Sequence, residues 1–545
     1  MSQTPFLGVF KNSEGQLIDM ATGEVVNPKD LKGTRVPFTG VFLDKDGNEH
    51  ELQDFLGSGS RGGSGIAPPD CYAIFVAAGE GRLTIEWRDP DDVTLEGAVI
   101  TQWQSTKLIR KIGSFPVNDT DGVLVVTNRV RNQYANGYVD SGLENDTEYF
   151  YRLCPISTTG AVNLNDTNTI SGISGTRAVF GVSIDLTNSN PETSVTYTDD
   201  AVGMTPGSSD WEKMPIFRDI KPCVLKDGVV QYYLNPKNYA QKEDGTAAVI
   251  TGADGDVMVE FPKCGVRIET IGTTITIKIT DSPNNRHFHY YAHTRNEEGD
   301  RNNLYLGAYL SKSENTAASD VIFRSVSGQQ PTAVIPSAGL EIVRERTQRI
   351  GEGYDAISFH SITLLQALWL IRFKHLNSQA RLGRGFIDSG RQVTGATNAS
   401  GMYFGSIAEN AVRIKCFGLE DLWGHIPCCF DGIYTVNEDG SYNLYAGFKN
   451  FNNYGIGYEL RGSLGSVSIT GDAFISVPHG NTEMGFVIKK SGGSATTYFS
   501  DIGQYNSGAG GIFGGDQTGT LYGYGIFHSR VGAININVGS RIMYL

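Results

Sequence analysis

Histidine spacing gives the first candidate for chemistry in this 545-residue chain. His287 and His289 are separated by one residue, and His293 follows four positions later. Alternate side chains of a strand share a face, so the first two imidazoles would lie side by side as metal ligands do. The alternative is a polar strand face with one histidine hydrogen-bonded in the core. The sequence leaves both interpretations open.

Other patterns that carry catalysis are missing from the sequence. It contains no GxSxG, HExxH or P-loop motif, and its seven cysteines show neither CxxC nor zinc spacing. Reduced, mostly buried thiols are expected. The acidic pairs Asp199-Asp200 and Glu297-Glu298 are interpreted as solvated turns. We therefore expect no enzymatic activity and no cofactor.

Composition and charge restrict the fold and the partners. The chain has 67 glycines, 25 tyrosines and 26 phenylalanines, which favours a mainly β, multidomain protein. A net charge of −14 without a basic cluster argues against nucleic acid as a partner. No apolar run approaches the roughly 18 residues of a membrane span, so no membrane insertion is expected. Residues 1–5 lack the features of a signal peptide, which predicts synthesis in a cytoplasm.

An internal repeat marks residues 1–56. PFLGVF at 5–10 recurs as PFTGVF at 37–42, and a polar turn containing glycine follows each copy, which predicts two β-hairpins. Residues 44–48, DKDGN, could form half a calcium loop, but the distal glutamate is missing and a turn is favoured. The segment is either an anchor to a partner or an ordinary β-subdomain. Residues 57–70, rich in Gly, Ser and Pro, are predicted to be a linker.

Residues 71–175 are predicted to form a β-sandwich. Strand-like runs at 72–77, 82–87, 97–105, 122–130 and 147–155 alternate with turn signals. The runs LTIEW at 83–87 and GLENDTEYFY at 142–151 resemble the second strand and the tyrosine corner of a fibronectin type III domain. That resemblance implies a spacer without chemistry of its own.

Two further domains are predicted, a β-rich one at 176–338 and a C-terminal one at 339–545. Strict alternation at 274–280 indicates a strand in the first. Its phrases MPIFRDIKPCVL, VVQYYLNP, GDVMVEFPK and YYAHTR resemble a block of bacteriophage tail and minor structural proteins. In the second, apolar residues recur at helical spacing across 357–376, which predicts a helix.

The segment FGLEDLWGHIPCCFDGIY at 417–434 resembles the central motif of the C-type-lectin-like fold. Formylglycine-generating enzymes and receptor-binding phage proteins share that fold. The enzymes carry copper on cysteines near the C-terminal end, and this sequence has no cysteine after Cys429. His425 and residues 427–429 depart from the family pattern. The matching motif positions are Gly418, Glu420, Trp423, Gly424, Asp431 and Gly432.

The lectin-like resemblance implies ligand binding on the loops that follow the motif. Tyrosine stacks on sugar rings at low entropic cost, and asparagine adapts its hydrogen bonds. The alternative is that these aromatics pack their own loops or a trimer interface. A separate implication concerns His287 and His289, because trimeric phage spikes build metal sites on the trimer axis from HxH strands. The candidate ligand-binding residues are Tyr434, Tyr442, Tyr445, Asn453, Tyr454, Tyr505, Asn506, Tyr522 and Tyr524.

These resemblances together imply a bacteriophage virion protein, either a tail fibre or a head fibre. The expected architecture is an N-terminal β-hairpin repeat, a fibronectin III-like sandwich, a second β-rich domain and a C-terminal C-type-lectin-like α+β domain. Expected partners are other virion proteins through residues 1–56, a host-surface glycan or protein, and further copies in a homotrimer. A non-adhesive capsid or tail decoration protein and a virion-associated glycan depolymerase are the alternatives.

Overall fold

The computed structural model describes most of the chain from residue 65 onward, and four short strands before it. Within 65–545, the residues left undescribed are 96–97, 176, 284, 286, 296–297, 315–320, 334–338, 387–389, 410–411, 466–470, 516–522 and 533–537. The fold is mainly β, as the composition predicts. No helix in the described part of the chain is long and apolar enough to cross a membrane.

The N-terminal repeat forms two antiparallel hairpins of the same register. Strands β1 (Val9–Lys11) and β2 (Leu17–Asp19) pair Val9 with Asp19. Strands β3 (Val41–Leu43) and β4 (Glu49–Glu51) pair Val41 with Glu51, which is the same pairing 32 residues later. Both predicted hairpins are confirmed. The turn at 44–48, and with it the calcium-loop alternative, lies outside the described residues.

Residues 1–176 form one compact unit, and its described part beyond residue 65 is a β-sandwich. One sheet has the order β11-β6-β5 and the other β10-β9-β12-β13. Alternate residues of β6 point inward, so Leu83, Ile85 and Trp87 are fully buried. The hydroxyl of Tyr149 accepts the N–H of Glu144 at 3.0 Å and ties the strand to the preceding turn. The strands are β5 (Tyr72–Gly79), β6 (Arg82–Arg88), β7 (Val93–Leu95), β8 (Ala98–Thr101), β9 (Trp103–Ile112), β10 (Val123–Asn128), β11 (Tyr138–Ser141), β12 (Glu148–Ser157) and β13 (Thr169–Ile173).

Residues 177–545 form the second compact unit. Its first strands are β14 (Val179–Asp185), β15 (Val195–Asp199), β16 (Lys221–Lys226), β17 (Val229–Asn235), β18 (Asn238–Lys242), β19 (Asp256–Pro262), β20 (Gly265–Ile271), β21 (Thr274–Thr280), β22 (Asn303–Gly307), β23 (Lys312–Glu314), β24 (Ile322–Arg324) and β25 (Tyr354–Ala356). Four of them form a sheet of order β15-β14-β21-β20. The strand predicted at 274–280 is confirmed as β21.

The second half of this unit contributes the strands β26 (Lys415–Cys416), β27 (Leu419–Glu420), β28 (Cys428–Glu438), β29 (Ser441–Ala446), β30 (Glu459–Gly465), β31 (Ala473–Pro478), β32 (Ile488–Ser491), β33 (Ile502–Tyr505), β34 (Gly508–Phe513), β35 (Ser529–Val531) and β36 (Ile542–Tyr544). Eight of them form a sheet of order β30-β29-β28-β34-β35-β33-β31-β32. This sheet carries the motif's DGIY segment in β28.

A seven-stranded sheet crosses the domain boundary predicted at 338/339. Its order is β18-β17-β16-β19-β22-β36-β25, so the last strand of the chain lies between β22 and β25. Strands from both predicted domains therefore share backbone hydrogen bonds. Residues 177–338 and 339–545 are parts of one compact unit.

The core of this unit is built around helix α2 (Phe359–Phe373), which follows α1 (Gly339–Gln348) and precedes α3 (Ser378–Leu382). All fifteen residues of α2 are buried. Ser358 caps the helix by accepting the N–H of Ser361, and Lys374 ends it in a left-handed conformation. Trp369 packs edge-on against Trp423, with ring centroids 5.5 Å apart. The predicted helix is confirmed and is shorter than 357–376 at both ends.

Candidate functional site

Glu420 of the motif holds three segments of the interior together. Its carboxylate accepts the N–H groups of Gly395 and Thr397 at 2.8 Å each and the Thr397 hydroxyl at 2.7 Å. Arg413 adds an ion pair at 2.8 Å. A buried carboxylate with this many donors is fully satisfied, so Glu420 serves the structure and has no free oxygen for a ligand.

Trp423 and Gly424 form a second tight point of the motif. The indole Nε1 donates to the carbonyl oxygen of Gly383 at 2.9 Å, and the ring is fully buried. Gly424 has a φ of +75°, and a Cβ there would lie 1.9 Å from the carbonyl oxygen of Arg384. Only glycine fits this close approach of two backbone segments.

Asp431 connects the motif to the surface through Arg344 of helix α1. Its backbone N–H donates to Ile357, and its fully buried carboxylate accepts Nε and Nη2 of Arg344, the latter at 3.0 Å. Burial raises the pKa of the Asp431 carboxyl, and the hydrogen bonds from Arg344 oppose that rise. The remaining Nη1 of Arg344 donates to the side-chain oxygen of Asn453. We call this set, Asp431, Arg344 and Asn453, the anchor.

The loop at 450–458 is organised by the side chain of Asn452. Its oxygen accepts the N–H groups of Tyr454 and Ile456 at 3.0 Å each, and its amide donates to the Ile456 carbonyl at 2.9 Å. The Asn452 N–H donates in turn to the hydroxyl of Tyr458 at 3.1 Å. These bonds fold the loop tip while leaving Tyr454 74% and Ile456 73% exposed.

The outer face of the neighbouring strands continues this exposed surface. Tyr434 of β28 lies directly opposite Tyr445 of β29, which lies opposite Leu460 of β30. Leu460 is 57% exposed and both tyrosines are half-buried. Gly455 lies over Tyr434, since a Cβ there would be 2.7 Å from the tyrosine ring. We define the tyrosine face as Tyr434, Tyr445, Tyr454, Ile456 and Leu460.

Other predicted binding residues lie away from the tyrosine face. Tyr442 and Tyr505 are 8% and 1% exposed, and their ring centroids lie 6.2 Å apart in the interior. Tyr524 is 8% exposed and its ring packs edge-on against His528. Asn506 is half-buried, and its N–H donates to Val531 at 2.7 Å. Tyr522 lies outside the described residues.

The structure therefore brings Tyr434, Tyr445, Asn453 and Tyr454 together and turns Tyr442, Tyr505 and Tyr524 inward. Sequence reasoning missed Arg344, which reaches the loop from a helix more than 100 residues earlier. It also missed the exposed Ile456 and Leu460. The alternating pattern of β29 could have separated the buried tyrosine from the outer one. Tyr442, Leu444 and Ala446 share the buried face of the strand, and Tyr445 lies on the other face.

The histidine pair is not on a regular strand. His287 lies in a turn, and His289 makes an isolated bridge with Val266, so the strand predicted for the pair is wrong. Both side chains are exposed, and the His289 ring lies 4.7 Å from that of Tyr291. His293 is fully buried, and burial lowers its pKa to about 3. Within the described residues, no group of three or more His, Cys, Asp or Glu side chains could hold a metal ion.

No protein-family model matches the sequence, and no curated protein matches it.

Proposed function

We propose that the chain is a fibre-type structural protein of a bacteriophage virion that binds a host-surface glycan or protein through the tyrosine face. The observation that carries this proposal is an exposed aromatic and aliphatic loop tip held on a hydrogen-bonded base. Tyr454 and Ile456 are each more than 70% exposed although the loop below them is fully folded. Exposed apolar side chains that lie together suit a recognition surface.

The anchor supports a binding role because it fixes the loop in advance. A loop that is already ordered loses less conformational entropy when a partner binds, so more of the contact energy appears as affinity. Asn453, a ligand contact implied by the lectin-like resemblance, is used by Arg344 to hold the loop. The tyrosine rings remain the contact groups, as expected for large, rigid side chains at binding surfaces.

The rest of the chain suits the same role. The three- and four-stranded sheets of residues 65–175 and the Tyr149 hydroxyl bond support a fibronectin III-like spacer. The buried motif residues Glu420, Trp423 and Asp431 support a lectin-like C-terminal region. Two short hairpins bury little surface by themselves and suit docking onto a virion partner. Many copies on one particle would turn weak single-site binding into firm attachment.

A non-adhesive decoration role is the second candidate. The aliphatic members of the tyrosine face, Ile456 and Leu460, would suit burial against a neighbouring subunit of the particle. In that case the tyrosine face would be covered in the virion, its variants would impair assembly, and the isolated chain would not bind cells.

The test uses the full chain, because a fragment starting at 340 would lack most strands of the seven-stranded sheet. Labelled wild-type protein is titrated onto intact cells that the phage encoding this sequence infects. Saturable binding that Tyr454→Ala and Ile456→Ala weaken is expected. Ile271→Ala, which removes a 78% exposed side chain elsewhere in the unit, is the matched control and should bind normally.

Absence of saturable binding to those cells would refute the adhesive role. If Tyr454→Ala binds cells as strongly as the control does, the binding contact lies outside the tyrosine face. Incorporation of each variant into particles, measured by the protein composition of purified virions, then tests the decoration role directly.

A further inference from the structure

A cavity of about 650 Å³ lies at the β36 end of the seven-stranded sheet, outside the tyrosine face. Its volume is within the usual range for small-molecule sites. One wall is a row of tyrosines on three adjacent strands, and we call this site the β36 cavity. The row consists of Tyr305 on β22, Tyr544 on β36 and Tyr354 on β25, which are direct cross-strand partners.

The tyrosine row is fixed by its surroundings. The ring centroids of Tyr305 and Tyr544 lie 6.0 Å apart, and those of Tyr354 and Tyr544 lie 4.9 Å apart. A Cβ at Gly228 would lie 2.2 Å from the hydroxyl oxygen of Tyr544, and a Cβ at Gly353 would lie 2.6 Å from its ring, so both backbone segments approach this side chain closely. Tyr544 therefore cannot turn without moving backbone, and its ring is held in place before any ligand arrives.

The wall near the tyrosine row carries charges that largely neutralise one another. Glu298 pairs with Arg301 at 2.6 Å and with Lys449. The Arg295 side chain is only 6% exposed, and its carboxylate neighbours Glu298 and Asp355 lie 3.8 and 3.7 Å away. Its Nη1 donates to the Gly353 carbonyl at a long 3.4 Å. Donor capacity thus remains at Arg295, while these carboxylates balance its charge.

The rim adds planar polar side chains. Asp227, Asn302 and Glu352 are exposed there, and Asn303 is half-buried. Planar amide, carboxylate and guanidinium groups can each bond two adjacent hydroxyls, and aromatic faces cover the apolar C–H side of a sugar ring. Arg301 and Lys449 are already paired with Glu298, so a phosphate or carboxylate ligand would have to displace it. A purely apolar ligand would leave these polar groups unpaired.

We propose that the β36 cavity is a binding site for a neutral saccharide. The site does not depend on the tyrosine face or on host attachment, so it goes beyond the proposed function. Its ring-binding wall is Tyr305 and Tyr544, and its hydroxyl-binding groups are Arg295, Asn302 and Glu352.

The experiment is ligand-observed saturation-transfer NMR on the full chain. The neutral probes are glucose, galactose, mannose, N-acetylglucosamine, lactose and maltose, and the charged probes are glucuronic acid and inorganic phosphate. Saturation transfer to at least one neutral sugar is expected, with weaker or no signal from the charged probes. The affinity for the best sugar is then measured by titration.

Variants assign the signal to the cavity. Tyr305→Ala is expected to weaken sugar binding about tenfold or more, and Glu352→Gln and Asn302→Ala by severalfold, because each removes a contact with the sugar. Glu352 and Asn302 are exposed, so their variants decide the matter even if Tyr305→Ala does not fold. Ile271→Ala, which removes an exposed side chain outside the cavity lining and outside the tyrosine face, is the control and should bind sugar as the wild type does.

Three results would overturn the proposal: no neutral probe shows saturation transfer, the charged probes bind more tightly, or Glu352→Gln and Asn302→Ala leave the affinity unchanged. Cell binding separates this site from the proposed function. Loss of cell binding in Tyr454→Ala with sugar binding intact would support both sites, whereas sugar binding without any cell binding would refute host attachment alone.

Discussion

Replacement of Arg344 by methionine tests the anchor most directly. Methionine keeps an unbranched, mostly apolar side chain in helix α1 and removes the charge and the hydrogen bonds. Arg344 bonds both oxygens of Asp431 and the side-chain oxygen of Asn453, and Asp431 is fully buried. In Arg344→Met the Asp431 carboxylate therefore stays in the interior without its cation.

The size of the effect follows from that burial. Removal of one partner of a buried ion pair costs about 3–5 kcal/mol, because the other charge is left uncompensated. The lost bond to Asn453 adds about 1 kcal/mol. Asn453→Ala removes only this second part, so its expected cost is about 1 kcal/mol. The double change Arg344→Met with Asp431→Asn removes both charges and should be less destabilising than Arg344→Met alone.

Urea unfolding measures these free energies, and hydrogen exchange reports on the loop. The backbone N–H groups of Tyr454 and Ile456 are hydrogen-bonded in the folded loop, so their exchange should become faster in both Arg344→Met and Asn453→Ala. If Arg344→Met unfolds within about 1 kcal/mol of the wild type and its loop exchanges at the wild-type rate, the anchor does not hold the loop and the reasoning fails.

Three further perturbations test other parts of the structure. Gly424→Ala should cost about 3 kcal/mol or more in urea unfolding, since a Cβ would meet the Arg384 carbonyl at φ +75°; Gly440→Ala, at φ +84° in open space, should cost only about 1–2 kcal/mol. Ser358→Ala should lower stability by about 1 kcal/mol in the same assay, because it removes the N-cap of helix α2. Burial raises the pKa of the Asp501 carboxyl from 3.8 to about 7, although backbone hydrogen bonds oppose the rise. The contribution of this group to the free energy of unfolding is therefore fully present below pH 3.8 and is lost as the pH rises through about 7. Relative to the wild type, Asp501→Asn should therefore gain up to about 4 kcal/mol between about pH 4 and pH 8, and parallel pH profiles of the urea midpoint would contradict this.

Local features of the fold could be predicted from the sequence. The hairpin repeat, the sandwich strands and helix α2 each follow from turn residues and from periodicity within one segment. The boundary predicted at 338/339 rests on the same kind of local evidence. It does not mark a structural break, because β36 pairs with strands about 240 and 190 residues earlier in the chain, and no local pattern encodes such pairing.

From the sequence alone, the candidate site could be predicted only by the amino-acid composition of its loops. A loop rich in tyrosine and asparagine is visible in the sequence, but burial divides its residues. Tyr505 is in a strand inside the eight-stranded sheet and is nearly fully buried, whereas Tyr454 is at a loop tip. The tyrosine row of the β36 cavity had no local signal either, since its members become neighbours only when the seven-stranded sheet forms.

The anchor gives the motif a role that its burial alone does not suggest. The motif residues contact no ligand in this proposal, yet Asp431 holds Arg344, and Arg344 holds Asn453 at the base of the exposed loop. A change at Asp431 should therefore alter the order of the exposed loop through the ion pair between Asp431 and Arg344. The hydrogen bonds that fold the loop use the backbone N–H groups of Tyr454 and Ile456 and not their side chains. These two side chains can therefore be replaced while the hydrogen bonds that hold the loop stay the same. Such a division suits a binding surface that must change its partner without losing its fold.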